Sequence, residues 1–321
     1  MAYYKPADTI SSMPVCKICG FEKTVLEHKK NKFSYYRCGN CQTLFISPTP
    51  SVKSLEMYYQ KTFTYTAGIA GEKKIGTMAA TIMDNLMSLN KNGQSLLDIG
   101  SGYGVFLGEA KKYIKNVTGL EPSKSLYNYS KSYIRKHMMN INFDGFLRYN
   151  RQKYDFITLI HVIEHLPDPK KVLGQIISLL KPNGILYIET PNIDSYLYYS
   201  EKENYTFLTP PDHVWLFSQK SFKKLLKGVR DVKIEKLSTY SHPEHLMGFL
   251  KSIFHPKGGQ VQKLQPNLFH PKDDNDSEKI NKMKSAKYYL FDKILSPIFT
   301  PLLNIGNKGS ILEMYLRKNN K

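Results

Sequence analysis

Three sets of residues in this 321-residue sequence have the types and spacing to do chemistry. The first is Asp98, Gly100, Gly102 and Gly104, followed by Glu121 21 positions beyond Gly100. Glycines let backbone approach a ligand where any side chain would block it. An acidic residue at that distance, at the tip of the next strand, can accept both hydroxyls of a ribose. The second set is His161, Glu164 and His165, with His213 further on. Imidazoles titrate near neutrality and suit the role of general base. The third is Cys16-x-x-Cys19 and Cys38-x-x-Cys41, separated by 18 residues. Four thiolates so spaced close a tetrahedral zinc site with no position open to water, so that zinc is structural and helps to fold a segment too short for its own core.

The first set needs a strand, a tight loop and a helix. Ser95 to Ile99 is a short apolar run that reads as a buried parallel strand, and Val105 to Ile114 has helical spacing. Asn116 to Leu120 is the second strand, ending at Glu121. A dinucleotide site wants G-x-G-x-x-G; here the spacing is G-x-G-x-G, after an aspartate that repels phosphate and suits a cationic amino-acid ligand. This pattern resembles motif I of the class I S-adenosylmethionine-dependent methyltransferases. The resemblance implies an α/β, Rossmann-like fold with a seven-stranded, mostly parallel sheet and an antiparallel last strand. It also implies donor contacts from Asp98, Gly100, Ser101, Gly102, Gly104 and Glu121, with Asp144-Gly145 at the adenine and His161 nearby.

The remaining elements follow in order. Ser123 caps a helix from Lys124 to about His137, and Ile141 to Phe143 is a weak third strand with Asp144-Gly145 at its tip. Tyr154 to Ile160 is the fourth strand, Asp168 to Lys181 an amphipathic helix, Gly184 to Glu189 the fifth strand and Val232 to Leu237 the sixth. Gly309 to Lys318 is the seventh, expected as the antiparallel edge.

The pattern H-x-x-E-H also matches an inverted zinc-peptidase signature, but that needs a helix. Here it leaves a strand, and Pro167 and Pro169 follow. In open α/β sheets ligands bind at the carboxyl ends of strands. The segment resembles the one after strand four in small-molecule methyltransferases. In sugar C-methyltransferases the His matching His165 serves as a base and the Glu matching Glu164 contacts substrate. In quinol O-methyltransferases a related E-x-x-E-H triad is linked to a divalent metal, and here His161 replaces its first Glu. A purely architectural Glu164-His165 pair is the alternative. Relatives resembling this chain also carry His-x-x-x-Phe-Ser, which makes His213 a second base, a substrate ligand or a structural residue.

Upstream, Thr24 to His28 and Phe33 to Arg37 read as a hairpin between the cysteine pairs. Ser51 caps a helix from Val52 to Tyr59, and Gly71 to Leu89 forms another. The order of knuckles, Pro-rich joint and Tyr-Tyr helix resembles the zinc ribbon ahead of bacterial sugar C-methyltransferases and of enzymes from surface-polysaccharide clusters. Helices so placed form a lid over the donor in that family, putting Tyr58, Tyr59 and Tyr65 at a substrate mouth or in packing. The expected organisation is a ribbon over 1–50, a helical lid over 51–93, the core over 94–239, a helical insertion with a polar loop over 240–308, and the last strand over 309–321. Within the insertion, residues 279–305 read as helix, and the amphipathic run at 288–305 either packs on the sheet or touches a membrane or lipid-linked glycan.

The net charge of +19 invites a nucleic-acid reading, but the excess is spread evenly: +6 over residues 1–93, +7 over 94–240 and +6 over 241–321. Lysine supplies 40 of the 46 basic residues, whereas base and phosphate recognition favours arginine. There is no N-terminal apolar signal core and no run of 18 apolar residues, so a cytoplasmic protein is expected. The sequence predicts an S-adenosylmethionine-dependent methyltransferase with structural zinc, acting on a sugar-containing or other small-molecule acceptor. An RNA methyltransferase, a quinol or small-phenol O-methyltransferase and a non-catalytic zinc-ribbon binding protein are the alternatives.

Overall fold

The computed structural model describes residues 13–62, 69–254 and 296–320. Tyr65, the polar loop at 255–276 and the predicted helix over 279–295 lie outside the described residues.

Three short strands open the fold: β1 (Thr24–Lys30), β2 (Phe33–Cys38) and β3 (Leu44–Ser47). Helices Val52–Thr62 and Ile69–Leu89 follow, the first with Ser51 Oγ accepting from Ser54 N at 3.2 Å. The large sheet is then laid down by β4 (Ser95–Ile99), β5 (Asn116–Leu120), β6 (Met138–Met139), β7 (Tyr154–Ile160) and β8 (Leu180–Pro191). A two-residue strand β9 (Trp215–Leu216) precedes β10 (Val232–Tyr240) and β11 (Ile311–Lys318).

The seven strands are ordered β10-β11-β8-β7-β4-β5-β6, and β11 alone runs antiparallel to its neighbours. That is the α/β sheet the sequence predicted, with one correction. The antiparallel strand sits second from the edge, and β10 takes the edge. Side-chain burial gives the reason: β11 is buried almost end to end, whereas no residue of β10 is fully buried. A strand apolar on both faces belongs inside a sheet, and a lysine-bearing one tolerates the rim.

Two further predictions are corrected. The third strand is Met138–Met139, and Phe143–Tyr149 is a helix capped by Asn142, whose Oδ1 accepts from Gly145 N at 2.8 Å. The helix expected from Lys124 to His137 breaks at Ser130 into Lys124–Tyr129 and Ser132–Arg135. Ser130 Oγ donates to Tyr127 O, and Arg135 donates to the Ser130 carbonyl, local bonds that compete with helix continuation.

The ribbon is not a separate unit. Its sheet is ordered β1-β2-β3-β9, so its fourth strand comes from beyond β8. Phe45 stacks on Trp215 with ring centroids 5.5 Å apart. The cysteines, Trp215 and Ile163 belong to one continuous apolar core. Near the end of the described chain, helix Ser296–Phe299 and a 3-10 segment Thr300–Asn307 bury Thr300 and Leu303 but expose Ile298, Leu302 and Ile305. Among the described residues no helix is long and apolar enough to cross a membrane.

Gly119 in β5 lies beneath the glycine loop, where an added Cβ would stand 2.5 Å from Ser101 Oγ and 2.8 Å from Leu107 Cδ2. Gly119→Ala is therefore expected to destabilise the fold by about 1–3 kcal/mol, read as a lowered midpoint in thermal unfolding; an unchanged midpoint would contradict the tight packing.

Candidate active site

The loop after β4 is shaped by glycines in the left-handed region. Gly100 has φ 80, and a Cβ there would meet Val162 Cγ2 at 2.5 Å. Gly102, at φ 57, faces open space with nothing within 4 Å of its Cβ position. So one glycine admits a neighbouring loop and the next leaves room for a ligand. Helix Ile69–Leu89 closes the other side: Ile75, Met78 and Ile82 join Asp98, Gly102 and Tyr103 around an open cavity of about 150 Å³. The expected lid helix does reach this cavity.

Glu121 does not line the cavity itself but is tied to the loop that does. Gly102 N donates to Oε2 at 2.8 Å and Ser123 N to Oε1 at 2.7 Å. Burial raises its pKa to about 7, against the lowering pull of the two amides. Asp98 is buried with Thr158 Oγ1 donating to Oδ1 at 2.7 Å, and burial lifts it to about 6. Asp144 and Gly145 lie in the first turn of helix Phe143–Tyr149 and are not among the residues lining this cavity.

Beyond β7 the chain turns sharply at His161, whose φ is 53. Its ring bridges two buried carboxylates, Nδ1 to Glu164 Oε1 at 3.2 Å and Nε2 to Glu189 Oε1 at 3.3 Å. Glu164 also accepts from Thr190 Oγ1 at 3.0 Å, and Glu189 from the Tyr187 hydroxyl at 2.7 Å. Burial opposes charge on His161, but the hydrogen bond to Glu164 and the charges of Glu164 and Glu189 outweigh it and push its pKa up to about 10. Burial likewise opposes charge on Glu164, and the bond to His161 with the neighbouring imidazoles lowers it to about 2. His161 is thus an imidazolium between two carboxylates at neutral pH.

His165 and His213 face each other with ring centroids 4.8 Å apart. Burial, then the charge of the other imidazole, holds His165 below the usual range; burial does the same for His213. Both rings are therefore neutral at pH 7. His165 Nδ1 lies 2.9 Å from Asp212 O, and His213 Nδ1 lies 2.8 Å from Phe207 O. A carbonyl can only accept, so each Nδ1 carries the proton and each Nε2 carries the lone pair. Donor atoms of Glu164, His165 and His213 fall within 4.8 Å of one another. Tyr59 meets His165 edge-on at 5.8 Å, with Tyr58 beside it at 6.0 Å.

The structure thus gathers Glu164, His165 and His213, and separately gathers Asp98, Ser101, Gly102 and Glu121. Glu189 was missed by sequence reading, although it lines the cavity beside Asp98 as well as pairing with His161. Its signal was an acidic residue at the carboxyl end of the apolar strand ILYIE. At the far end of the ribbon, the sulfurs of Cys16 and Cys41 stand 3.6 Å apart, those of Cys19 and Cys38 3.5 Å, and all four lie within 4.8 Å. That donor set fits zinc.

Residues 73–229 match the family described as a methyltransferase domain. Among curated proteins, the chain is similar to a ubiquinone biosynthesis O-methyltransferase of Coxiella burnetii, 32% identical over 121 residues, covering 36% of this chain and 52% of that protein. A namesake from Actinobacillus pleuropneumoniae is 28% identical over 109 residues, 31% of this chain and 47% of its own length. The chain spans about half the length of these relatives. Among solved structures, the plantazolicin methyltransferase BamL, in complex with SAH, overlaps 84% of this chain and 92% of its own at 15% identity and a TM-score of 0.48.

Two predictions follow from the geometry. Ribose hydroxyls donate best to an ionised Glu121, so donor affinity should fall as pH drops below about 7, and Glu121→Gln should weaken binding and flatten that dependence. Calorimetry across pH 5.5–8.5, a range of about 3 units around that value, checks this; a flat parent profile would contradict it.

His161→Ala leaves two buried carboxylates unpaired, a loss at the low end of about 3–5 kcal/mol because the His161 side chain is 35% exposed. The pair's contribution should be complete between the ordinary pKa values of Glu and His. It is lost as pH falls toward 2, where Glu164 protonates, and as pH rises toward 10, where His161 deprotonates. Denaturant unfolding of parent and variant across pH measures the difference.

Proposed function

We propose that this chain, whose residues 73–229 are a methyltransferase domain of the class I fold, transfers a methyl group from S-adenosylmethionine to a hydroxyl-bearing small molecule, with a sugar or sugar-containing acceptor as the first choice. The observation that carries the reading is the pair of neutral imidazoles, His165 half-buried and His213 buried, whose Nδ1 protons are committed to backbone carbonyls. When bound, S-adenosylmethionine supplies an electrophilic sulfonium methyl. Glu121 takes the ribose, and the open face at Gly102 receives the adjoining backbone of the donor.

His165 Nε2 accepts the acceptor's proton as its oxygen forms the bond to the methyl carbon and the carbon–sulfur bond breaks. In-line transfer needs positioning more than an activating ion, which is what a half-buried, hydrogen-bonded base offers. His161, already charged and bridged, cannot serve as base at neutral pH; it keeps Glu164 ionised beside the two neutral rings. Zinc on Cys16, Cys19, Cys38 and Cys41 is proposed as structural. A phenolic acceptor is the second reading, supported by the 32% identity to a ubiquinone biosynthesis O-methyltransferase.

His165→Asn should leave donor affinity nearly intact while slowing turnover by about 10²–10⁴-fold, against acceptors drawn from nucleotide-sugar and phenol pools. His213→Asn should mainly raise KM if that residue holds the acceptor. Full turnover in His165→Asn with none in His213→Asn would move the base to His213, and full activity in both would make the pair architecture.

A further inference from the structure

We infer that the four-cysteine ribbon is a positioning element of the acceptor site: metal on Cys16, Cys19, Cys38 and Cys41 fixes where His213 stands and, through the same strip of backbone, where His165 stands. The inference rests on the methyl-transfer reading above, but its geometry is independent of the acceptor's identity.

The strip is Asp212 to Leu216, and the ribbon holds it at four successive residues, 213 to 216. Tyr35 in β2 is fully buried, and its hydroxyl donates to His213 O at 3.3 Å. Ile46 N in β3 donates to Val214 O at 3.0 Å. Phe45 and Leu44 pair with Trp215 and Leu216 as strands. From this strip the bonds continue to the segment that carries the other imidazole. Trp215 Nε1 donates to Leu166 O at 2.8 Å, and His165 Nδ1 donates to Asp212 O at 2.9 Å. Both rings thus hang from backbone that the ribbon's second and third strands grip.

Those two strands are themselves joined at the thiols. β2 ends at Cys38, and Cys38 N donates to Thr43 O at 3.0 Å across the knuckle. Cys41 N donates to Cys38 Sγ at 3.4 Å. A knuckle of this kind draws folding free energy from the metal, which would tie it to the Cys16–Cys19 pair in a way its own short-range hydrogen bonds do not. When the metal leaves, the β2–β3 register loses its clamp and the 212–216 strip loses its support. The donor elements are placed differently: Asp98 stands in β4, Gly102 in the loop after it and Glu121 directly after β5, and these two strands pair only within the large sheet. Metal loss should therefore disturb the imidazoles and spare the donor site. A shift of about 1 Å in a catalytic group can cost about 10²-fold in rate.

The test uses the full chain with isotope-labelled histidine rings, its metal content measured before and after a chelator. Metal removal is expected to shift or broaden the His165 and His213 ring resonances, to lower turnover by about 10²-fold, and to leave the calorimetric affinity for S-adenosylmethionine within about 3-fold, with zinc restoring all of it. Tyr35→Phe, which deletes one hydroxyl and keeps the metal ligands, should move the His213 resonances and lower kcat more than it raises KM. Ring resonances that stay in place after metal loss would overturn the inference. So would donor affinity collapsing in step with them, because the ribbon would then serve global stability alone. If no acceptor pool is methylated, the methyl-transfer reading fails, while the resonances still decide whether ribbon and imidazoles are coupled.

Discussion

Two glutamates with almost no exposed surface stand at the carboxyl ends of β7 and β8, and the arrangement around them follows from keeping both ionised. Carboxylates taken out of water need a cation or a dense set of donors. Here one imidazolium answers both: His161 lies between Glu164 and Glu189, with Thr190 and Tyr187 donating to the outer oxygens. The positive φ at His161 is the backbone's share of that arrangement. A side chain continuing β7 in the ordinary way would leave one carboxylate bare.

Electrostatics then separates three histidines of one small region into two kinds. His161 is paired on both nitrogens and charged, whereas burial keeps His165 and His213 neutral, with the charge of His213 adding to it at His165. Environments that push neighbouring titratable groups apart are how a site divides labour among similar side chains. His161 thereby supplies positive charge beside two carboxylates, a part that neither of its neutral neighbours plays.

Much of this was legible in the sequence because it was written in local pattern. The strand Tyr154–Ile160 and the caps at Ser51 and Ser123 follow from apolar runs and polar caps alone. What escaped was set by contacts distant in sequence. The position of β11 inside the sheet depends on which strands flank it, and β9 is two residues that no periodicity could reveal. The break at Ser130 comes from side-chain bonds to backbone that helix propensity does not carry. Glu189 was visible as a residue but not as a partner, because its meaning depends on His161 bending back toward it.

Tyr240, the last residue of β10, pairs with Ile311, the first of β11, and Ile311 pairs in turn with Pro191 at the carboxyl end of β8. Residues 241–310 therefore leave and re-enter the sheet at neighbouring rungs, on the rim where the ligands of such sheets bind. A segment whose two ends are already side by side can grow or shrink with only a slow, logarithmic entropy penalty. His245, close against Phe207 at 5.7 Å, shows that this segment reaches the aromatic wall behind His213. Sequence can thus be added or removed between Tyr240 and Ile311 while the hydrogen-bonded ladder beneath keeps its register.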